Sequence, residues 1–278
     1  MATSSFRLAL KRAFRRENRR LVLRKGRLES MSFASKVFDN TRQVTIYLPP
    51  DYDDHPEQRY PVLYMHDGQN LFEPGRSFIP GQHWRLADAA DSMIGERKAR
   101  PMIIVGIDNT GASRIDEYTP TRDPERKAGG RADDYARMLL DELKPLIDDS
   151  YRTFPDRAGT AVGGSSLGGL LSLHLALTRP NAFAAAAVMS PSVWWDRRAI
   201  LEELDRFTGR RPRLWLDTGG REGFDALKDV RLLRERLKAK GWSDGELKYQ
   251  EDRRADHSER AWAQRAPMML EFLFPAEV

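Results

Sequence analysis

The chain has 278 residues, is 40% hydrophobic and contains no cysteine, which excludes disulfides and thiolate metal sites and suits one large α/β domain. Its net charge of +5 is unevenly spread: residues 1–27 hold ten Lys or Arg against Glu17 alone, a charge of +9, leaving −4 on the remainder. No apolar stretch nears the roughly 18 residues that span a bilayer. Leu8–Leu10 and Leu21–Leu23 are too short for a secretory signal core, so a cytoplasmic location is expected.

In chain order, residues 1–28 read as a basic arm ahead of a body at 29–278. A helix there would bring Phe6, Leu10, Phe14 and Leu21 near one face, a pattern suited to an anionic membrane or nucleic acid. The plainer reading is a solvated leader that packs on its own domain or on a second copy of the chain, and nothing else resembles a nucleic-acid module. Residues 42–48 alternate and end at Pro49-Pro50, the pattern of a strand entering a loop. Short apolar runs follow at Val62–Met65, Met102–Ile107, Gly159–Val162, Ala184–Met189 and Leu214–Leu216, with a strand-like Leu247–Tyr249 near the end. These read as buried strands of a mostly parallel sheet. Between them, residues 132–149, 167–178, 224–239 and 258–273 carry helical spacing, so the predicted fold is an open α/β sheet with helices on both faces. In such sheets ligands bind beyond the carboxyl ends of the strands.

The segment after Gly159–Val162 is Gly163-Gly164-Ser165-Ser166-Leu167-Gly168-Gly169, with a helix predicted from near Leu170. It contains G-x-S-x-G centred on Ser166, placed on a strand–turn–helix. Glycine on either side removes side chains that a sharp turn would drive into neighbouring backbone. The Leu167 amide, at the helix start, is placed to donate to an oxyanion. Ser165 is off the centre of the glycine frame.

This stretch resembles the Putative esterase family of α/β hydrolases, which includes enterochelin-type siderophore esterases, feruloyl and acetyl-xylan esterases and S-formylglutathione hydrolases. The resemblance runs from about Thr41 to Phe274 and implies an α/β-hydrolase fold and a Ser-His-acid triad. The chain order of that fold puts the histidine last. Of the two histidines after Ser166, His174 falls inside the following helix, whereas His257 lies in a loop before a helix that carries Trp262. His257 is therefore the expected base. Glu222 falls at the family's acidic position in the turn after Leu214–Leu216, with Asp225 as alternate and Asp217 third. The family further implies a second oxyanion donor after the third strand, here the Gln69 amide beside Gly68, with His66 and Asp67 holding the loop.

Arg114 could meet an anionic part of a substrate or pair with Glu117, and Trp194 and Trp195 could form an aromatic wall or pack behind the acid loop. The expected reaction is acyl transfer from an ester, such as a siderophore, hydroxycinnamoyl or acetyl ester, to Ser166 and then to water. No metal or organic cofactor is expected. The same triad would serve an acyltransferase, and a noncatalytic protein on a hydrolase fold is the third reading.

Overall fold

The computed structural model describes residues 24–276. The predicted arm up to residue 23, with its apolar face, lies outside them. The first strand, β1 (Arg27–Ser35), begins two residues inside the predicted arm and pairs antiparallel with β2 (Asn40–Leu48) from Arg27↔Leu48 to Ser35↔Asn40. One eight-stranded sheet runs β1-β2-β4-β3-β7-β8-β9-β10. Its parallel members are β3 (Val62–His66), β4 (Ile103–Ile107), β7 (Thr160–Ser165), β8 (Ala185–Met189), β9 (Arg213–Gly219) and β10 (Leu247–Asp252). A separate two-stranded ladder joins β5 (Arg122–Asp123) to β6 (Ala128–Gly129).

The predicted strands are all present, most of them longer than their apolar runs. The central ones read as unbroken apolar runs because both faces are covered. In β3, Val62 and Tyr64 enter one core layer while Leu63 and Met65 enter the other. Helices α1 (Leu86–Gly95), α2 (Arg114–Tyr118), α5 (Leu167–Thr178), α6 (Ala199–Arg206), α7 (Phe224–Ala239) and α8 (Glu259–Leu273) follow strands or their loops. The helix predicted over 132–149 is α3 (Ala132–Arg137) and α4 (Lys144–Ser150) joined by a π-helical segment, Met138–Leu143. Pro145 sits in the first turn of α4, where its missing N–H breaks the regular hydrogen-bond ladder. Among the described residues no helix is long and apolar enough to cross a membrane.

Candidate active site

The carboxyl ends of β3, β7, β9 and β10 lead into four loops that carry the predicted site. Ser166 follows β7 and precedes α5, which spans the 167–178 stretch of helical spacing. Its backbone has φ 58° and ψ −122°, a sparsely populated conformation for a residue with a Cβ, typically costing about 1–3 kcal/mol. Neighbours hold it there. Ser166 N–H donates to Met189 O, and Ser166 O accepts from the Ser192 and Leu170 amides, each at 3.0 Å. A Cβ on Gly164 would come within 2.9 Å of the Gly168 carbonyl carbon, so the two framing glycines let strand and helix touch. Ser166 Oγ lies 3.4 Å from Ser192 Oγ. Leu167 is the first residue of α5, where backbone N–H groups have no intrahelical acceptor.

His257 lies between β10 and α8, and its Nδ1 is 2.9 Å from Glu222 Oε2. Glu222 is almost fully buried, and its Oε1 accepts from Gly219 N–H at 2.7 Å and from Ser190 Oγ at 2.5 Å. A carboxylate with donors at both oxygens acts as an acceptor, which places the proton on His257 Nδ1 and leaves Nε2 with a lone pair. The histidine ring meets Trp262 edge-on, centroids 4.9 Å apart. Ser190 Oγ also receives Trp262 Nε1–H and Arg265 Nη2–H, both at 3.0 Å. With both lone pairs taken, its own hydrogen points to Glu222. Arg265 in turn pairs with Asp217 (Nε to Oδ2, 3.1 Å), and both side chains are buried. Asp217 also accepts from Trp215 Nε1 and from Ser190 N–H. Of the three acids weighed from sequence, Glu222 faces His257, Asp217 lies in the layer beneath it, and Asp225 opens α7 in an exposed position.

After β3, Asp67 takes a left-handed conformation (φ 57°) and Gly68–Asn70 forms a 3₁₀ turn. A Cβ on Gly68 would meet the Gly106 carbonyl carbon at 2.5 Å, so glycine is what lets this turn lie on β4. Gln69 sits in the middle of the turn, its Oε1 accepting from Asn109 N–H at 3.2 Å. His66 is buried, its Nδ1 3.0 Å from Tyr135 Oη, and its pKa is pushed down to about 3, chiefly by desolvation. A cleft of about 480 Å³ is lined by Ser165, Ser166 and His257 together with Asp67, Asn70, Arg114, Glu259 and Trp262. Phe78, Ile79, Ala112 and Ile115 add apolar side chains to its rim.

Arg114 reaches this cleft, and Glu117 does not pair with it. Its Nε and Nη2 donate to Asp67 Oδ1 and Oδ2, each at 2.7 Å. Glu117 instead forms a buried pair with Arg42. Trp194 and Trp195 are not brought to the cleft. Trp195 is buried and donates Nε1–H to Thr121 O at 3.0 Å, while Trp194 is half-exposed beneath Arg126. Sequence reasoning missed Ser190 and Arg265. The one available signal was a basic residue three positions after Trp262, on the apolar face of α8.

Comparison with known proteins gives the family and the fold. Residues 35–273 match the family described as Putative esterase. The uncharacterized protein YbbA of Bacillus subtilis is 24% identical over 245 residues, covering 84% of this chain and 92% of YbbA. The ferri-bacillibactin esterase BesA of the same organism is 29% identical over 184 residues, covering 61% of this chain and 60% of BesA, so the match spans under two thirds of that relative. Among solved structures, the BES protein of Bacillus cereus superposes with a TM-score of 0.71 at 23% identity, over 89% of this chain and 94% of that one, which shows the shared fold. With four fifths or more of its length inside the family match, this chain belongs to the Putative esterase family, the carboxylic-ester hydrolases of the α/β-hydrolase fold.

Proposed function

We propose that the protein hydrolyses carboxylic esters through a triad of Ser166, His257 and Glu222. The reading rests on the His257 Nδ1–Glu222 Oε2 contact at 2.9 Å, in a cleft that also exposes the elbow serine. His257 Nε2 takes the Ser166 proton as Oγ attacks the ester carbonyl, and the resulting imidazolium is stabilised by Glu222. The oxyanion that forms is held by the Leu167 amide at the start of α5 and by the Gln69 amide of the 3₁₀ turn. His257 then protonates the departing alcohol, and a water molecule deprotonated by the same ring releases the acid from Ser166. BesA is named for a siderophore ester, which supports an ester of comparable kind as one natural substrate class here.

The test is hydrolysis of p-nitrophenyl acetate and butyrate, with labelling by an alkyl fluorophosphonate. Ser166→Ala and His257→Ala are each expected to lower kcat by on the order of a thousand- to a million-fold, and Ser166→Ala to abolish labelling. Turnover that survives in Ser166→Ala would remove this serine from the mechanism.

A further inference from the structure

His257 sits in a loop with its side chain 43% exposed, so its orientation depends on what the ring leans on. Two supports are present: Glu222 Oε2 at Nδ1 and the indole of Trp262, met edge-on. Glu222 lies in the turn Gly219-Gly220-Arg221-Glu222-Gly223. Within that turn only the Gly219 N–H, at 2.7 Å, holds its carboxylate. Both supports converge on one hydroxyl. Ser190 Oγ donates to Glu222 Oε1 at 2.5 Å and accepts Trp262 Nε1–H at 3.0 Å. Arg265 Nη2–H, one turn further along α8, takes the remaining lone pair at 3.0 Å, which leaves the hydroxyl hydrogen a single direction.

The backbone of Ser190 is unusual as well. Its φ of 40° falls in the left-handed region that residues with a Cβ rarely adopt. It follows β8, the strand beside the one that leads into Ser166, and its N–H donates to Asp217 O at 3.0 Å and to Asp217 Oδ1 at 3.1 Å. Glycine would take this conformation at no steric cost, but it has no hydroxyl to offer. A strained backbone held by its surroundings points to a use for the side chain it carries.

Resting on the triad reading above, we infer that Ser190 is a positioning residue for the reaction: its hydroxyl fixes both the acid and the indole that together orient the His257 ring. The test is p-nitrophenyl butyrate hydrolysis by Ser190→Ala and Ser190→Gly, beside proton NMR of the His257 Nδ1–H resonance, which lies far downfield while the ring faces a carboxylate. Both variants are expected to lower kcat by on the order of ten- to a hundredfold, with KM within about threefold, as a misplaced base predicts. The downfield resonance should broaden or shift in both. Ser190→Gly carries the contrast, because it removes the hydroxyl while relieving the backbone. A serine with a purely structural role would leave that variant as active as the wild type. Trp262→Phe removes the indole N–H that reaches Ser190 and is expected to lower kcat by about tenfold. It tests the same tether from its other end even if both Ser190 variants fold poorly. A folded Ser190 variant with the kcat and resonance of the wild type overturns this inference, as does an unchanged kcat in Trp262→Phe. The triad reading survives either result while Ser166→Ala is inactive. Turnover that persists in Ser166→Ala overturns the triad reading instead.

Discussion

Two histidines in this molecule set Nδ1 against a glutamate at nearly the same distance. His257 meets Glu222 at 2.9 Å and His174 meets Glu203 at 2.8 Å. Their surroundings differ. His174 lies on the wall of α5, 4% exposed, with Asp133 a further 3.7 Å from Nε2. Burial pulls its pKa down, but the two carboxylates outweigh burial and raise it to about 9. It stays protonated at neutral pH and has no reacting group beside it. His257 sits in a loop, 43% exposed, and opens into the cleft that holds Ser166. A histidine–glutamate pair is thus a common structural part. One face left open to a nucleophile and to solvent is what suits it to move protons.

Exchanging the two acids tests that contrast most strongly. Glu222→Gln is expected to lower kcat/KM by on the order of a thousandfold or more, since an amide favours the wrong histidine tautomer. Glu203→Gln should leave it within about twofold. Comparable losses in p-nitrophenyl butyrate assays of the two variants would erase the distinction. A smaller effect comes from beneath Glu222. Arg265→Met leaves Asp217 buried without its cation and is expected to destabilise the fold by about 3–5 kcal/mol, measured by urea denaturation. An unchanged urea midpoint would mean that Asp217 is satisfied by Trp215 and the Ser190 amide alone.

The smallest effect concerns pH and His174. Its folded pKa is raised from 6.5 to about 9, so its stabilisation is full below about 6.5 and fades as pH rises through about 9. Unfolding free energies of the wild type from urea denaturation should fall across that window by about 3 kcal/mol more than those of His174→Gln. Parallel pH curves for the two proteins would show that His174 is not charged in the native state.

Much of this arrangement is legible in the sequence. The elbow announces itself because its glycines flank Ser166 between an apolar run and a helix, and His257 follows from chain order. Glu222 was legible as the acid of the turn after β9, and its contact with His257 bears on it directly. What escaped was set by tertiary context. Strand β1 lies at the sheet edge with mostly exposed residues, so its sequence lacks an apolar run and merged with the basic arm. Helix α1 has Arg85 at its N-cap with no capping side chain, hence no start signal. The Ser190–Arg265 contact joins residues 75 apart, beyond any local pattern. The tryptophan pair lies away from the cleft, and the chain after it turns through left-handed Asp196, Arg197 and Arg198, of which only Asp196 is a residue type that visits that conformation with any frequency.

The antiparallel register of β2 against β4, Val44↔Ile107 through Tyr47↔Ile104, carries the end of β2 to the amino ends of the parallel strands. Arg27 pairs with Leu48 at that same level, and Arg24 just before it pairs with Asp51 and Asp54. The chain thus enters the fold at the pole opposite the Ser166 cleft. A resin, fluorophore or fusion partner joined at Arg24 itself would leave the mouth of the cleft facing away from the attachment, open to whatever diffuses in.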